Sequence, residues 1–245
     1  MDKVCSEAIK KGINEICFTE HYAVNPNLPT YGHMDFQRYF NQIEQVRNKY
    51  GKHLVIKAGI ELCEPHLMKE TYREVLQELE LDFILGSVHN INEIKLRKFM
   101  SDKTPSEVYQ SYFDEVFSLV SNADIDVIAH LDLMKRYAIE AKGNYDFNHF
   151  QKDLERILLK AIERGIGLEI NTSGISNVKV NEAFPNIDVL KLYHSLGGQI
   201  LTIGSDSHLA ETVGAHLKDA LSIAKEAGFE HIYTFEQRQP KRVRI

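Results

Sequence analysis

The chain has 245 residues, a formal net charge of -6 and 43% hydrophobic residues, which is enough apolar material for a single domain spanning 1–245. The negative charge argues against binding to a nucleic-acid backbone. No apolar stretch approaches the roughly 20 residues that cross a bilayer, and the N-terminus has no signal-peptide pattern. Three cysteines without CxxC spacing indicate reduced thiols. We therefore expect a cytoplasmic protein that binds neither nucleic acid nor membrane.

Hydrophobic periodicity alternates along the chain between the helical period and short apolar runs typical of buried strands. The predicted helices cover about 4–9, 35–50, 68–79, 105–120, 150–162, 187–196 and 211–227. The predicted strands cover about 13–19, 54–62, 83–88, 126–129, 167–171, 200–204 and 232–235. Thr104-Pro105-Ser106-Glu107 is a capping-box pattern that marks the start of the fourth helix. Strands separated by helices predict a parallel sheet with right-handed crossovers, in either an open sheet or a barrel.

Polar residues follow the ends of most predicted strands. They are His21, Glu61, His89, His130, Asn171, Asp206 and His208. The C-terminal strand ends of a barrel converge on one face, whereas those of an open sheet lie along a line. One histidine at a strand end is usually an ordinary polar residue, but the repetition favours a barrel with a site for zinc, manganese or iron. Cys17 and Cys63 lie in apolar runs and are expected to be core residues rather than ligands.

The motifs around these residues resemble those of a known family. In chain order they are Thr19-Glu20-His21, Gly59-Ile60-Glu61, Gly86-Ser87-Val88-His89, Ala129-His130-Leu131-Asp132, Glu169-Ile170-Asn171-Thr172-Ser173-Gly174 and Gly204-Ser205-Asp206-Ser207-His208. Together they resemble the polymerase-and-histidinol-phosphatase (PHP) family, particularly its histidinol-phosphate phosphatases, from about Cys5 to Pro240. The resemblance implies an α/β fold, a distorted (β/α)7 TIM-like barrel, with three divalent metal ions at the C-terminal strand ends. It also implies hydrolysis of a phosphomonoester, with L-histidinol phosphate in histidine biosynthesis as the expected substrate.

The resemblance also implies roles for individual residues. Glu61 would bridge two metals, His89 and His130 would complete the second, Asp206 would bind the first, and His21 and His208 would bind the third. Asp206 or His208 is expected to donate a proton to the leaving alkoxide. The predicted substrate-binding residues are Asn171, Lys135, Arg136 and Arg238. The three cations among them are expected to clamp the phosphate.

The chain departs from the family pattern at its start. Family members begin with a strand that ends in Asp-x-His-x-His, and Met1 falls where such a protein already enters its first helix. The first and third metals would then each keep two of the ligands named above, whereas the second keeps three, the number typical of catalytic zinc. We therefore expect about one tightly held ion per chain. The missing strand would be encoded upstream of Met1, or a partner chain would supply it at the exposed barrel edges, which makes a homo-oligomer possible.

Two alternatives to histidinol-phosphate hydrolysis remain open at this point. The first is a PHP phosphoesterase that acts on another substrate, such as a nucleotide. The second is a catalytically inactive remnant that still binds metal or a ligand. Metal content and activity of the purified protein would separate these possibilities.

Overall fold

The structure is a computed structural model that describes residues 1–245. The strands are β1 (Glu15–Tyr22), β2 (Val55–Cys63), β3 (Phe83–Ser87), β4 (Asn90–Ile91), β5 (Ile94–Lys95), β6 (Val127–Ile128), β7 (Gly167–Asn171), β8 (Leu201–Gly204), β9 (His231–Glu236) and β10 (Gln239–Arg244). The helices are α1 (Asp2–Lys10), α2 (Phe36–Tyr50), α3 (Lys69–Leu76), α4 (Leu96–Phe99), α5 (Pro105–Asn122), α6 (Met134–Lys142), α7 (Phe147–Glu163), α8 (Ile187–Ser195) and α9 (Leu217–Glu226). Six strands form one parallel sheet in the order β1-β2-β3-β6-β7-β8.

The six-stranded sheet is strongly curled. In a flat sheet of six strands the outer two would lie about 24 Å apart, because neighbouring strands are about 4.8 Å apart. Here His21 lies near the end of edge strand β1 and His208 follows edge strand β8, yet their ring centroids are 6.1 Å apart. The predicted barrel-like α/β fold is therefore confirmed as a curled half-barrel, in which β1 and β8 approach each other without pairing.

Local sequence signals explain where several helices begin. Thr104 and Glu107 form the predicted capping box, with Pro105 in the first turn of α5. Asp35 and Asp146 accept a backbone N–H at the starts of α2 and α7. The apolar faces of the helices pack on the sheet around a core cluster of 44 buried residues. This packing fixes the directions of the strand ends.

Some elements were absent from the sequence-based expectation. Strands β9 and β10 form an antiparallel hairpin, whereas only β9 was expected. Their turn, Gln237 and Arg238, has positive φ angles without glycine or asparagine, so the usual hairpin signal is missing. Helix α6 and the short β4–β5 hairpin were also missed. None of the helices combines the length and the apolar character that would let it cross a membrane.

Candidate metal centre

Four side chains meet at the C-terminal ends of β1, β2, β3 and β6. They belong to His21, Glu61, His89 and His130, and we call them the Glu61 cluster. The Glu61 Oε1 atom lies 3.1 Å from Nε2 of His130 and 3.4 Å from Nε2 of His89. The Glu61 Oε2 atom lies 3.6 Å from Nδ1 of His21. Strands β1 and β2 pair in a register that sets His21 directly opposite Glu61. The fold therefore brings together side chains from positions far apart in the sequence.

The spacing of these atoms fits a divalent metal ion. Two nitrogen or oxygen ligands of a tetrahedral zinc lie about 3.3 Å apart, since each is about 2.0–2.2 Å from the metal. The contacts of Glu61 with His89 and His130 are 3.4 and 3.1 Å. The ligand atoms of these three residues all lie within 4.8 Å of one another. Two imidazoles and a carboxylate match the donor set of catalytic zinc sites, so the residues present fit such an ion.

The charge states of Glu61 and His89 also suit metal binding. Burial alone would raise the pKa of Glu61, but the hydrogen bond from His130 and the neighbouring histidines hold that pKa well below its usual value. Burial lowers the pKa of His89 to about 3, outweighing the opposite effect of Glu61. Burial acts in the same direction on His130, but there Glu61 prevails and raises the pKa. An ionised carboxylate and a neutral imidazole are the forms that bind metal.

Two buried carboxylates hold the loops of the predicted ligands in place, and neither was predicted as a site residue. Glu64 accepts the backbone N–H of His89 at 2.5 Å and that of Asn90 at 2.8 Å. Glu169 accepts the backbone N–H of His130 at 2.9 Å. Burial raises the pKa of each of these two glutamates to about 7. Glu169 alternates with apolar neighbours on β7, and that period of two was a usable signal of an inward-facing side chain.

Asp206, His208 and Arg136 form the other side of the site. Asp206 Oδ2 accepts a hydrogen bond from Arg136 Nη2 at 3.0 Å and lies 3.2 Å from Ser173 Oγ. His208 projects into solvent, with its side chain 70% exposed. Its Nδ1 lies 3.1 Å from the backbone oxygen of Asp206. The predicted metal ligands are therefore gathered at one end of the half-barrel, with Arg136 beside them.

Asn171 is the last residue of β7 and contacts Ser173, which lies beside Asp206. Its Oδ1 accepts hydrogen bonds from the backbone N–H of Ser173 at 3.1 Å and from Ser173 Oγ at 2.5 Å. Its Nδ2 donates to Glu169 at 3.1 Å. The side-chain amide of Asn171 thus supports Ser173 and Glu169. Its direct contact with substrate stays a prediction.

The structure does not place Lys135 and Arg238 where a phosphate clamp requires. The Lys135 side chain is fully buried, and its Nζ lies 2.8 Å from both Asp132 and Glu182. The guanidinium of Arg238 binds Asp124 and Asp126 at the start of β6, the end of the strands opposite the Glu61 cluster. The substrate-binding prediction for these two residues is therefore corrected, because both cations neutralise carboxylates within the fold.

A cavity of about 530 Å³ runs between the edges of β1 and β8 and opens onto the predicted metal ligands. Its walls include Cys17, His21, Thr202, Asp206 and His208. The unpaired edges of both strands border this cavity. Whether a further strand or a second chain pairs with them stays a prediction.

The geometry agrees with what the chain resembles. The PHP domain family model matches residues 1–173. The chain belongs to the PHP family. It is 32% identical over 243 residues to a probable histidinol-phosphatase of Clostridium acetobutylicum, covering 96% of this chain and 91% of that protein. It is 29% identical to a histidinol-phosphatase of Lactococcus lactis, covering 95% of this chain and 87% of that protein.

One solved structure with a similar fold contains a bound metal. It is the histidinol phosphate phosphatase of Lactococcus lactis complexed with zinc, L-histidinol and phosphate. The two structures align with a TM-score of 0.90 at 28% sequence identity, covering 98% of this chain and 92% of the other. The family resemblance inferred from the motifs is thus confirmed.

Proposed function

We propose that this chain is a metal-dependent phosphomonoester hydrolase that dephosphorylates L-histidinol phosphate. The observation that carries the proposal is the convergence of His89 and His130 on one oxygen of Glu61, at 3.4 and 3.1 Å. The likeness to a zinc-containing histidinol phosphate phosphatase supports both the metal and the substrate. Three free cysteines agree with a location in the cytoplasm.

The residues that would hold an ion are Glu61, His89 and His130, with His21 and Asp206 beside them. A divalent metal bound there would lower the pKa of water and offset the charge of the phosphate. The low pKa of Glu61 keeps this side chain anionic throughout the physiological range, while His89 remains neutral. Glu61 and His89 therefore need not lose a proton before they bind a metal ion.

Arg136 is proposed as the phosphate clamp. Both of its hydrogen bonds, to Ser173 and Asp206, use Nη2. Its Nε and Nη1 groups are left to donate to phosphate oxygens, in the forked geometry that guanidinium offers. The guanidinium also lies 5.2 Å from the ring centroid of Phe184, which restricts its orientation.

His208 is proposed as the proton donor to the leaving alkoxide. Asp206 is held by Arg136 and Ser173, which favours its role as a carboxylate ligand. The ring of His208 is largely exposed beside the cavity, where a leaving group could reach it. Imidazole is the side chain most often used for proton transfer at neutral pH.

A comparison of leaving groups tests the proposal. The His208→Asn variant should lower kcat for L-histidinol phosphate by about 100-fold or more, the usual loss when a general acid is removed. The same variant should lose far less activity toward p-nitrophenyl phosphate, whose leaving group needs no proton, and should keep its metal content. His216→Asn is the matched control, because His216 lies outside the cavity and pairs with Asp219. An equal loss on both substrates, or loss of metal, would refute the role of His208 as proton donor.

A further inference from the structure

Cys63 lies beside the Glu61 cluster, although its apolar surroundings predicted a core residue. Side chains two residues apart on a strand point to the same face, so Cys63 follows Glu61 along the inner face of β2. The thiol is fully buried. On one side it packs with the apolar residues Ala23 and Leu28. On the other side it faces His21.

The distances around this thiol match a metal site. Cys63 Sγ lies 3.6 Å from Nδ1 of His21. A tetrahedral zinc bound by sulfur at about 2.3 Å and nitrogen at about 2.0–2.1 Å sets these two ligand atoms about 3.5 Å apart. The ligand atoms of His21, Cys63 and His89 all lie within 4.8 Å of one another. Packing against apolar neighbours alone does not account for two imidazoles around one sulfur.

We propose that Cys63, His21 and His89 form a thiolate-containing metal position beside the position formed by Glu61, His89 and His130. The inference rests on the proposed function, since it adds a ligand to the same metal centre. The two positions share His89. The first offers a sulfur atom, and the second offers a carboxylate.

This composition has a consequence for metal selectivity. Thiolate ligands favour zinc and other soft ions, whereas carboxylates also suit manganese. Manganese is a harder ion that binds sulfur weakly, so it would leave the Cys63 thiol protonated. Zinc binding would release this proton, as it does at other cysteine sites. The centre should therefore hold zinc with a sulfur ligand and manganese without one.

X-ray absorption at the zinc edge tests the proposal on the whole 245-residue chain. The zinc-loaded wild type should show a sulfur shell at about 2.3 Å in addition to nitrogen and oxygen at about 2.0–2.1 Å. Cys63→Ser should lose the sulfur shell, and its zinc affinity should fall by more than about tenfold, a loss typical even of residues that only support a ligand. Its manganese affinity should not change. Cys17→Ser is the matched control, since Cys17 lies on β1 outside both ligand groups.

The outcomes separate this inference from the proposed function. A wild-type spectrum with nitrogen and oxygen alone would overturn the role of Cys63 while leaving the Glu61 position intact. This result does not depend on any variant, so poor folding of Cys63→Ser cannot obscure it. A protein that binds manganese but no zinc would overturn this inference alone, whereas one that binds neither metal would overturn both proposals. A sulfur shell that persists in Cys63→Ser would assign the sulfur to another residue and would also refute the inference.

Discussion

Replacing Arg238 by methionine should destabilise the fold without affecting substrate binding directly. Arg238 lies in the turn between β9 and β10, and its backbone N–H donates to the oxygen of Asp82 at 2.9 Å. Its Nε and Nη2 lie 3.1 and 3.0 Å from Oδ1 of Asp126. The other oxygen of Asp126 accepts the backbone N–H of Ile84 at 2.8 Å. The guanidinium therefore neutralises a carboxylate that holds the start of two strands.

The size of the effect follows from burial. The Asp126 side chain is 8% exposed, so the substitution leaves an uncompensated charge inside the protein. Breaking a buried ion pair in this way costs about 3–5 kcal/mol. The Arg238 side chain is itself 31% exposed, so we expect a loss near the lower end, about 3 kcal/mol. The matched variant Asp124→Asn removes the exposed partner of Arg238 and should cost about 1 kcal/mol or less.

The cost of Arg238→Met should also depend on pH. Burial raises the pKa of Asp126 even with Arg238 present, and removal of the guanidinium raises it further. The folded variant then prefers the protonated acid more strongly than the folded wild type does. The difference in the free energy of unfolding between wild type and variant therefore has its full size at pH values above the pKa of Asp126 in both folded proteins. It shrinks as the pH falls through them, because a neutral Asp126 needs no cation.

Urea unfolding followed by circular dichroism at several pH values between 4 and 8 measures this difference. A stability loss at neutral pH that diminishes toward pH 4 is expected, with KM for L-histidinol phosphate unchanged in the folded protein. A loss that is constant over pH would refute the assignment to Asp126. A raised KM at unaltered stability would restore the substrate-clamp role that the sequence suggested for Arg238.

Three further changes test other parts of the structure. Lys135→Met should lower the free energy of unfolding by about 3–5 kcal/mol, because it leaves the buried carboxylate of Asp132 without its cation. Adding Asp132→Asn should recover part of this loss in the same urea assay. Arg136→Lys should raise KM for L-histidinol phosphate by about tenfold in steady-state kinetics, since lysine cannot provide the forked contact; an unchanged KM would remove Arg136 from the phosphate site. Gly204→Ala should lower the melting temperature, at a cost of about 1–3 kcal/mol, because its Cβ would lie 2.0 Å from Glu169 Oε1. Equal melting of this variant and the wild type would contradict the close packing of β7 and β8.

The sequence predicted those parts of the site that follow from local pattern. Buried parallel strands read as short apolar runs, so the residue after each run was easy to find. Curling of the sheet then brings the ends of β1 and β8 together, as the prediction of one shared site required. His21, Glu61, His89 and His130 were all predicted as ligands in this way, and the fold brings their side chains together.

The sequence could not predict contacts between side chains that lie far apart along the chain. Lys135 looked like a phosphate-binding residue because it follows a ligand motif, yet its partner Glu182 lies 47 residues away. Arg238 and Asp126 are separated by 112 residues. Cys63 is buried, as its apolar surroundings predicted. The sequence of β2 alone does not indicate that the imidazole of His21 lies beside it on the neighbouring strand. Such pairs depend on the packing of the whole chain.

The rate at which purified protein, loaded with zinc or manganese, releases phosphate from L-histidinol phosphate tests the central claim most directly. We predict a kcat/KM of at least about 10⁴ M⁻¹ s⁻¹, in the ordinary range for enzymes, and a much lower value for adenosine monophosphate. A chelator or Glu61→Gln should abolish the activity, because both remove the metal. Metal-loaded protein that releases no phosphate from L-histidinol phosphate, or that prefers the nucleotide, would contradict the account.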